Sequence, residues 1–289
     1  MAKIVVIGSF NMDLITYVER IPAIGETVTD GELITMAGGK GSNQATGAAR
    51  LGANVTMIAC VGDDQFAQSA FDLWQSDNIN TNYVKKAKNT STGTASILVD
   101  AHGENMIAVA PGANRLLTIA DIDAAENVIA EADVIMAQLE IPLDVVEYAF
   151  TIARKHDTRT LLNPAPVRDG LEKIIELADI ITPNEGEAQM IGTLPAGKIV
   201  VTTLGSDGAS WSHGQDSGRT PAFDVEAIDT VGGGDAFNAG LAVAIAEGKP
   251  LQQAVRFANA VAAIAVTRKG AAASMPTREE VIQLLDSDQ

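Results

Sequence analysis

The stretch Asp229-Thr230-Val231-Gly232-Gly233-Gly234-Asp235 places three glycines between two carboxylates, directly ahead of a run that reads as a helix. A glycine-rich turn entering a helix leaves backbone N–H groups unpaired, and the helix dipole adds positive potential, so the segment predicts an anion site. Asp235 would repel an anion and is better suited to take a proton from a group that attacks it. Phosphoryl transfer to a hydroxyl needs this pairing of cradle and base. On this segment alone, a tight turn with Asp235 as the helix N-cap stays open.

Strands and helices alternate along most of the chain outward from this segment. Apolar runs predict strands at 3–7, 54–61, 133–139, 158–162, 179–182 and 198–203, and periodic segments predict helices at 41–51, 65–76, 119–131, 143–156, 170–178 and 251–267. This alternation is typical of an α/β fold in which helices cover both faces of a parallel sheet, a three-layer αβα core.

Two strand-pair segments, at 14–36 and 94–110, do not follow the alternation. We expect them to pair with one another as a small β-sheet lid over the strand ends, where α/β proteins bind ligands. No linker, repeat or low-complexity segment divides the sequence. We therefore expect residues 1–289 to form a single domain with the lid inserted in the α/β core.

The composition excludes several classes of protein. The 289 residues carry a formal net charge of -17, which argues against a nucleic-acid or anionic-membrane partner. Cys60 is the only cysteine, so neither an intramolecular disulfide nor a cysteine-rich metal site can form. The apolar run at the N-terminus is too short for a signal peptide, and no run reaches the roughly 18 residues of a membrane span. We therefore expect a cytoplasmic protein.

The segment Gly38-Gly39-Lys40-Gly41-Ser42-Asn43-Gln44 is dense in polar residues, which suit a polyhydroxyl ligand. The glycines permit close backbone approach, and Lys40 supplies a positive charge. Asn43 and Gln44 supply paired hydrogen-bond donors and acceptors. A turn with an exposed lysine is the alternative interpretation.

Further polar residues follow two of the predicted strands. Asn11 and Asp13 come just after the first strand and project from the same side of an extended chain, where they can grip vicinal hydroxyls. An Asx turn is the alternative. Glu140 ends a predicted parallel strand, so we expect it to point into the ligand crevice unless it caps the next helix.

Two later segments suggest a nucleotide and its metal ion. Glu185 and Glu187 begin a predicted helix, where they either hold Mg²⁺, directly or through water, or complement the helix dipole. The loop at 203–208 joins two predicted strands and either lines a nucleotide or forms a simple hairpin.

Together these motifs resemble the ribokinase-like carbohydrate kinase family over almost the whole chain. The segments that carry the resemblance occur in family order: Gly8-Ser9-Phe10-Asn11-Met12-Asp13, the segment from Gly38 to Gln44, Asn184-x-x-Glu187, and the segment from Asp229 to Asp235. The resemblance implies an α/β core with a small β lid that often mediates dimerisation, hence a homodimer. It also implies ATP-dependent phosphorylation of the 5-hydroxyl of D-ribose, with Mg²⁺ and an activating K⁺.

The resemblance also assigns roles to residues. Asp235 is the expected base, and the amides of Gly232, Gly233, Gly234 and Asp235 form the expected anion hole. The expected sugar ligands are Asn11, Asp13, Gly39, Lys40, Gly41, Asn43, Glu140 and Asp235. The expected nucleotide contacts are Asn184, Thr203, Leu204, Gly205, Ser206, Asp207, Gly208, Gly234 and Asn259. Glu187 is expected to place Mg²⁺ through water, and K⁺ is expected at Asp229, Val231, Ala265, Arg268, Gly270 and Ser274, in part through backbone carbonyls.

Three departures from the family pattern affect these expectations. The interval at 188–198 is short where related proteins carry an extra helix, which affects the nucleotide side and the sheet edge. The triple glycine replaces positions where alanine or serine is common, so the cradle is expected to be less preorganised. Met12 is bulkier than the usual small residue and is expected to disfavour ribose. Deoxyribokinase, another pentose or nucleoside kinase, and a non-catalytic sugar sensor therefore remain alternatives.

Overall fold

A nine-stranded sheet and a four-stranded sheet organise the computed structural model, which describes residues 1–287. The strands are β1 (Lys3–Ile7), β2 (Asn11–Tyr17), β3 (Glu32–Gly38), β4 (Asn54–Val61), β5 (Asn80–Lys86), β6 (Gly93–Val99), β7 (Asn105–Ala110), β8 (Val134–Ala137), β9 (Arg159–Leu162), β10 (Ile180–Ile181), β11 (Ile199–Thr203), β12 (Ala209–His213) and β13 (Asp216–Thr220). The helices are α1 (Lys40–Arg50), α2 (Gln65–Ser76), α3 (Ile119–Ala124), α4 (Glu126–Ala130), α5 (Leu143–Lys155), α6 (Glu172–Leu177), α7 (Glu185–Ile191), α8 (Gly233–Ala246), α9 (Leu251–Val266) and α10 (Arg278–Ser287).

The large sheet has the strand order β13-β12-β11-β10-β9-β8-β1-β4-β5. The seven neighbouring strands β11, β10, β9, β8, β1, β4 and β5 are parallel, and β12 and β13 add an antiparallel edge. Helices cover both faces, so the central strands β1 and β8 are apolar and almost entirely buried. The predicted parallel αβα core is confirmed, and its strands all direct their carboxyl ends to one edge.

Small residues hold the helix that carries Asp235 in place. A Cβ at Gly240 of α8 would lie 2.8 Å from Val261 of α9, and a Cβ at Gly47 of α1 would lie 2.7 Å from the Cβ of Ala239. Such contacts let α1, α8 and α9 pack at close range, where a single added methyl group would be felt. The middle of α8 is therefore packed closely against α1 and α9.

The four-stranded sheet is the expected lid, with the order β3-β2-β6-β7. The two hairpin pairs are antiparallel, and β2 pairs with β6 in parallel, so the segments at 14–36 and 94–110 do form one sheet. The first lid strand begins earlier than expected. Asn11 and Asp13 lie on β2 rather than in a loop after β1.

Local predictions failed at three places, one of which is the C-terminal helix α10, for which no helix was predicted. The helix predicted at 119–131 is two short helices, because Ala125 leaves helical geometry (φ -102°, ψ 3°). The edge strand β5 was not predicted, since its sequence NTNYVKK is polar. Polar and charged residues at a sheet edge hinder pairing with another chain, and they also weaken the apolar pattern by which a strand is recognised.

The short interval at 188–198 leaves the sheet itself intact. Helix α7 ends at Ile191, and β11 starts eight residues later and continues into β12 and β13. An open cleft of about 370 Å³ lies there, lined by Val200, Thr202, Ser210, Trp211, Ser212, Ser217 and Gly218. Hydroxyl side chains suit such an uncovered surface. Within residues 1–287, no helix is long and apolar enough to cross a membrane.

Candidate active site

A cavity of about 250 Å³ lies where the glycine-rich turn meets the ends of the parallel strands. Seven of its lining residues were predicted from the sequence: Lys40, Asn184, Glu187, Thr203, Gly232, Gly234 and Asp235. Five others were not predicted: Asn163, Ala165, Thr182, Thr230 and Asn238. The fold thus brings the sugar, nucleotide and anion motifs to one place.

Asp235 lies in the first turn of α8 and does not cap it. The N-cap is Gly232, whose left-handed conformation (φ 78°) starts the helix at Gly233. The Asp235 carboxylate, 7% exposed, accepts hydrogen bonds from Asn43 Nδ2 at 2.8 Å and Gln44 Nε2 at 2.9 Å. Each oxygen keeps a lone pair for a further hydrogen, so the carboxylate can accept one from a substrate hydroxyl.

A relay of buried amides fixes the donor that Gln44 presents to Asp235. The backbone carbonyl of Thr182 accepts from Asn163 Nδ2 at 3.2 Å, and Asn163 Oδ1 accepts from Gln44 Nε2 at 3.1 Å. Gln44 Oε1 accepts from Gln138 Nε2 at 2.6 Å. Because a carbonyl can only accept, it sets the orientation of each amide in turn. The Gln44 N–H groups are thereby held towards Asp235.

The predicted anion cradle is narrower than the four amides expected. The Gly233 amide donates to the Thr230 carbonyl at 3.2 Å and is directed into the turn. The amides of Gly234 and Asp235 belong to the first helical turn and have no carbonyl one turn earlier within α8. These two amides, together with that of Gly232, for which no acceptor is found among residues 1–287, are left for an anion at the positive end of the helix dipole.

Glycines bring the start of α1 against the chain that leads into the lid. A Cβ at Gly39 would lie 2.6 Å from the Asn11 amide nitrogen, and a Cβ at Gly41 would lie 2.5 Å from that of Ser9. Gly39 also has a φ of 87°, which favours glycine. This close approach places Lys40 beside β2.

Glu140 caps α1, not the helix that follows it. Its Oε2 accepts from the Lys40 amide at 3.0 Å and from Ser9 Oγ at 2.5 Å. The carboxylate therefore holds the first residue of α1 while its charge stays within reach of the site.

Burial and neighbouring carboxylates raise the pKa of Asp13 to about 7. Burial is the larger cause, and the charges of Glu140 and Asp235 add to it. Burial alone would lower the pKa of Lys40, but Asp235, Glu140 and Glu187 outweigh it, so the Lys40 pKa is raised. The site thus holds a firmly protonated lysine among three carboxylates.

Met12 does not narrow the sugar site. Side chains alternate along β2, so Met12 projects to the face opposite Asn11 and Asp13. It is 5% exposed and packs in the core that contains Phe10 and Trp74. Its bulk therefore lies away from the residues expected to hold the sugar, and the preference between ribose and 2-deoxyribose stays a prediction.

The expected nucleotide residues divide into two groups. Asn184 and Thr203 line the cavity and form a parallel β-bridge at the carboxyl ends of the neighbouring strands β10 and β11. The segment from Leu204 to Gly208 folds as a short 3₁₀ turn beside them and lies outside the cavity lining. Asn259 is buried and donates to the carbonyls of Thr220 and Pro221, at 3.0 Å each.

Asn259 therefore reaches the nucleotide loop indirectly. A Cβ at Gly208 would overlap the Thr220 carbonyl oxygen, so the strand that Asn259 holds packs directly on the end of that loop. The amide supports the loop from behind, and a direct nucleotide contact by Asn259 remains a prediction.

The residues expected to hold Mg²⁺ fit an ion that binds mainly to phosphate and water. Glu187 and Asn184 form a capping box, in which Glu187 Oε2 accepts from the Asn184 amide at 2.8 Å. One further carboxylate oxygen of Glu187 remains at the cavity wall. Among residues 1–287, no group of three or more His, Cys, Asp or Glu side chains is arranged to hold a metal ion. This carboxylate therefore suits a water-mediated contact.

The residues expected to hold K⁺ lie on two segments that meet, one from Asp229 to Val231 and one that begins with Ala265 in the last turn of α9. Asp229 accepts from the Val231 amide at 3.0 Å and from the Gly270 amide at 2.9 Å, which ties the segments together. The Arg268 guanidinium pairs with Glu280, so its charge is compensated away from Asp229. One carboxylate among loop carbonyls is a donor set that fits a monovalent cation.

Fold and site together define a sugar kinase, and the comparisons agree. The chain belongs to the pfkB family of carbohydrate kinases, whose model matches residues 1–278. The ribokinase of Bacillus subtilis (strain 168) is 40% identical, over 99% of this chain and 100% of its own length. The deoxyribokinase of Salmonella typhi is 36% identical, over 99% of each chain. The structure of Arabidopsis thaliana ribokinase complexed with ribose and ATP has a TM-score of 0.90 at 29% identity, over 99% of each chain.

Proposed function

We propose that this protein transfers the γ-phosphoryl group of ATP to the 5-hydroxyl of D-ribose. The observation that carries the proposal is the position of Asp235, which lines the cavity beside the unpaired amides and accepts a hydrogen bond from Asn43, a residue expected to bind the sugar. The ribokinases among its relatives, one of them solved with ribose and ATP, support ribose as the acceptor.

Asp235 takes the proton as the sugar hydroxyl attacks. The Gly232, Gly234 and Asp235 amides donate to the oxygens of the moving phosphoryl group, where negative charge accumulates, and they need no reorganisation at that moment. Lys40, kept protonated by three carboxylates, adds positive charge at the same cavity wall. Asn11 and Asp13 hold the sugar from the lid so that its hydroxyl meets the base.

The proposed reaction also requires Mg²⁺ and K⁺. Glu187 would hold Mg²⁺ through water, and the ion would neutralise phosphate charge when bound. Asp229, Val231, Ala265, Arg268, Gly270 and Ser274 would hold K⁺ beside the cradle, in part through backbone carbonyls. Gly270 has a φ of 87°, so only glycine adopts this loop shape without strain.

A deoxyribokinase is the second candidate, and the Salmonella typhi relative favours it. Against it stands the pairing of Asn11 with Asp13 on one face of β2, which offers a donor and an acceptor to two neighbouring hydroxyls. A non-catalytic sugar sensor is disfavoured, because the base, its amide donors and the cradle are all present.

The lid carries an apolar surface that we assign to a homodimer. Ile34, Ile15, Ile97 and Ile107 lie in one register row across β3, β2, β6 and β7, and so share one face. Ile34 and Ile107 are exposed by 41% and 55%. A row of isoleucines across a small sheet suits burial against a second copy of the lid. A cytoplasmic location, where ATP is abundant, completes the proposal.

ADP production in a coupled assay tests the function. We expect turnover with MgATP and D-ribose that exceeds turnover with 2-deoxyribose in kcat/KM and rises when K⁺ replaces a large inert cation. A preference for 2-deoxyribose would favour the second candidate. Ribose binding by calorimetry without any turnover would instead favour the sensor.

A further inference from the structure

Asn114 lies at the junction of lid and core, outside every motif that the sequence singles out. It belongs to the 3₁₀ turn Gly112–Leu116, which follows the last lid strand. Its neighbours Ala113 and Leu117 pack in the core, and Asn114 itself is 1% exposed. A polar side chain this deeply buried must be hydrogen-bonded to be tolerated.

The Asn114 amide is oriented by two backbone groups of Phe10. The Phe10 amide donates to Asn114 Oδ1 at 3.1 Å, and the Phe10 carbonyl accepts from Asn114 Nδ2 at 3.0 Å. Because an N–H only donates and a carbonyl only accepts, this pair determines which end of the side chain is oxygen. The orientation is thus fixed twice by groups that cannot exchange roles.

The remaining N–H of Asn114 determines the orientation of Asn11. Asn114 Nδ2 lies 2.9 Å from Asn11 Oδ1 and donates to it. The reverse orientation of Asn11 would set two NH₂ groups against each other. Asn11 Nδ2 therefore points away from Asn114, and no protein acceptor contacts it among residues 1–287.

Gly93 provides an independent observation. It is the register partner of Asn11 on the neighbouring strand β6, and a Cβ there would overlap both Asn11 Oδ1 and Asn114 Nδ2. Only glycine leaves room for the bond between the two amides. Three separate segments of the chain thus converge on one orientation of Asn11.

We propose that Asn114 is a positioning residue that sets the sugar specificity of the site. By holding Asn11 Oδ1, it turns the Asn11 N–H donors to the face of β2 that carries Asp13. One hydroxyl then accepts from Asn11 while its neighbour donates to the Asp13 carboxylate. A sugar that lacks one of these hydroxyls leaves a group unpaired and binds less well. The inference rests on the proposed sugar kinase activity.

Steady-state kinetics with D-ribose and 2-deoxyribose test the inference. Asn114→Ala is expected to lower the ratio of the two kcat/KM values by about 3- to 10-fold, the size of one neutral hydrogen bond. The loss should appear in the ribose KM, with kcat little changed. Gly93→Ala should lower the ratio similarly. Asn105→Ala, on the exposed lid strand β7, is the matched control and should leave it unchanged.

A double-mutant cycle separates positioning from a merely structural role. In an Asn11→Ala background, Asn114→Ala should cause no further loss of the ratio, because the group it acts through is absent. Equal losses for both sugars, additive effects in that background, or a wild-type enzyme that does not discriminate between the sugars would each overturn the inference. Should Asn114→Ala fail to fold, Gly93→Ala carries the same test. If the wild-type protein shows no ribose turnover, the proposed function fails, and the ratio of calorimetric affinities still tests Asn114.

Discussion

At the scale of single residues, Asp235 is held by the side-chain amides of Asn43 and Gln44, which differ in whether they can reverse their orientation. Gln44 is locked by Gln138 and Asn163, whereas the Oδ1 of Asn43 is buried and has no hydrogen-bond partner within residues 1–287. Asn43 can therefore turn over and accept a hydrogen where it now donates one. This freedom means that a neutral amide at position 235 can be accommodated.

Asp235→Asn is expected to lower kcat by about 10²- to 10⁴-fold, the contribution of a general base. Ribose affinity should be nearly unchanged, because Asn43 turns over to satisfy the new NH₂ group. Turnover in the coupled assay and ribose binding by calorimetry measure the two effects. Asp72→Asn, on the exposed side of α2, is the control, and an unchanged kcat for Asp235→Asn would refute the assignment of the base.

Asp13 makes stability depend on pH. Its pKa is raised from 3.8 to about 7 on folding, so the stability it contributes is full below about pH 4 and is lost as the pH rises through 7. Asp13→Asn removes this loss. We expect the variant to melt several degrees above the wild type at pH 8, a difference that shrinks towards zero at about pH 4.

Thermal unfolding of both proteins between pH 4 and pH 9 measures this difference. A constant difference across that range would show that Asp13 does not titrate as its surroundings imply. Ribose affinity gives the functional counterpart. Only the ionised carboxylate is purely an acceptor, so wild-type affinity should rise as the pH passes through 7.

At the scale of one element, the three glycines before α8 have different requirements. Gly232 adopts a φ of 78°, and a Cβ there would lie 2.8 Å from the Ala271 backbone. Gly234 is helical, and a Cβ there would meet no atom of the described part of the chain within 4 Å. The expectation that glycine adds unwanted freedom to the cradle therefore applies to Gly234 and not to Gly232.

Gly234→Ala is expected to stabilise the protein by about 0.4–1 kcal/mol, because alanine restricts the unfolded chain. Gly232→Ala should destabilise it by at least about 1–2 kcal/mol, the cost of a left-handed alanine. Melting temperatures of the two variants decide the matter. Equal shifts would contradict the distinction drawn between the two positions.

The glycine-rich turn, α1 and the strand ends were predictable, because each carries its chemistry within a few consecutive residues. The amides that surround Asp235 were not. Asn163, Thr182 and Gln138 follow or end different strands, and only the order of the parallel sheet brings them together. Asn114 was missed for the same reason, since nothing near it in sequence indicates that it bonds to Phe10, 104 residues earlier.

At the scale of the whole molecule, the two faces of the lid make opposite predictions. Ile107 lies in the isoleucine row, and its neighbour Met106 projects to the other face. Both are similarly exposed, at 55% and 57%, so a charge at either position is tolerated in a monomer. Only one of them lies in the surface assigned to the homodimer.

Ile107→Glu is therefore expected to yield monomers in sedimentation velocity, while Met106→Glu remains dimeric like the wild type. Burying a carboxylate between two apolar lids is costly, whereas a carboxylate on the outer face stays in water. Monomeric wild-type protein, or dissociation by Met106→Glu alone, would count against this surface as the dimer contact.

The division of the site between the lid and the core also bears on whether water can replace the sugar and hydrolyse ATP. Asn11 and Asp13 lie on the lid strand β2, whereas Asp235 lies on the core helix α8. In the proposed reaction, a sugar would contact both parts and would be held at the base. A water molecule has no vicinal hydroxyls that the lid could bind. It would therefore reach Asp235 without being held in place and would lack the rate advantage of a positioned reactant. Selectivity against ATP hydrolysis thus follows from the placement of the sugar-binding residues on the lid and of the base on the core.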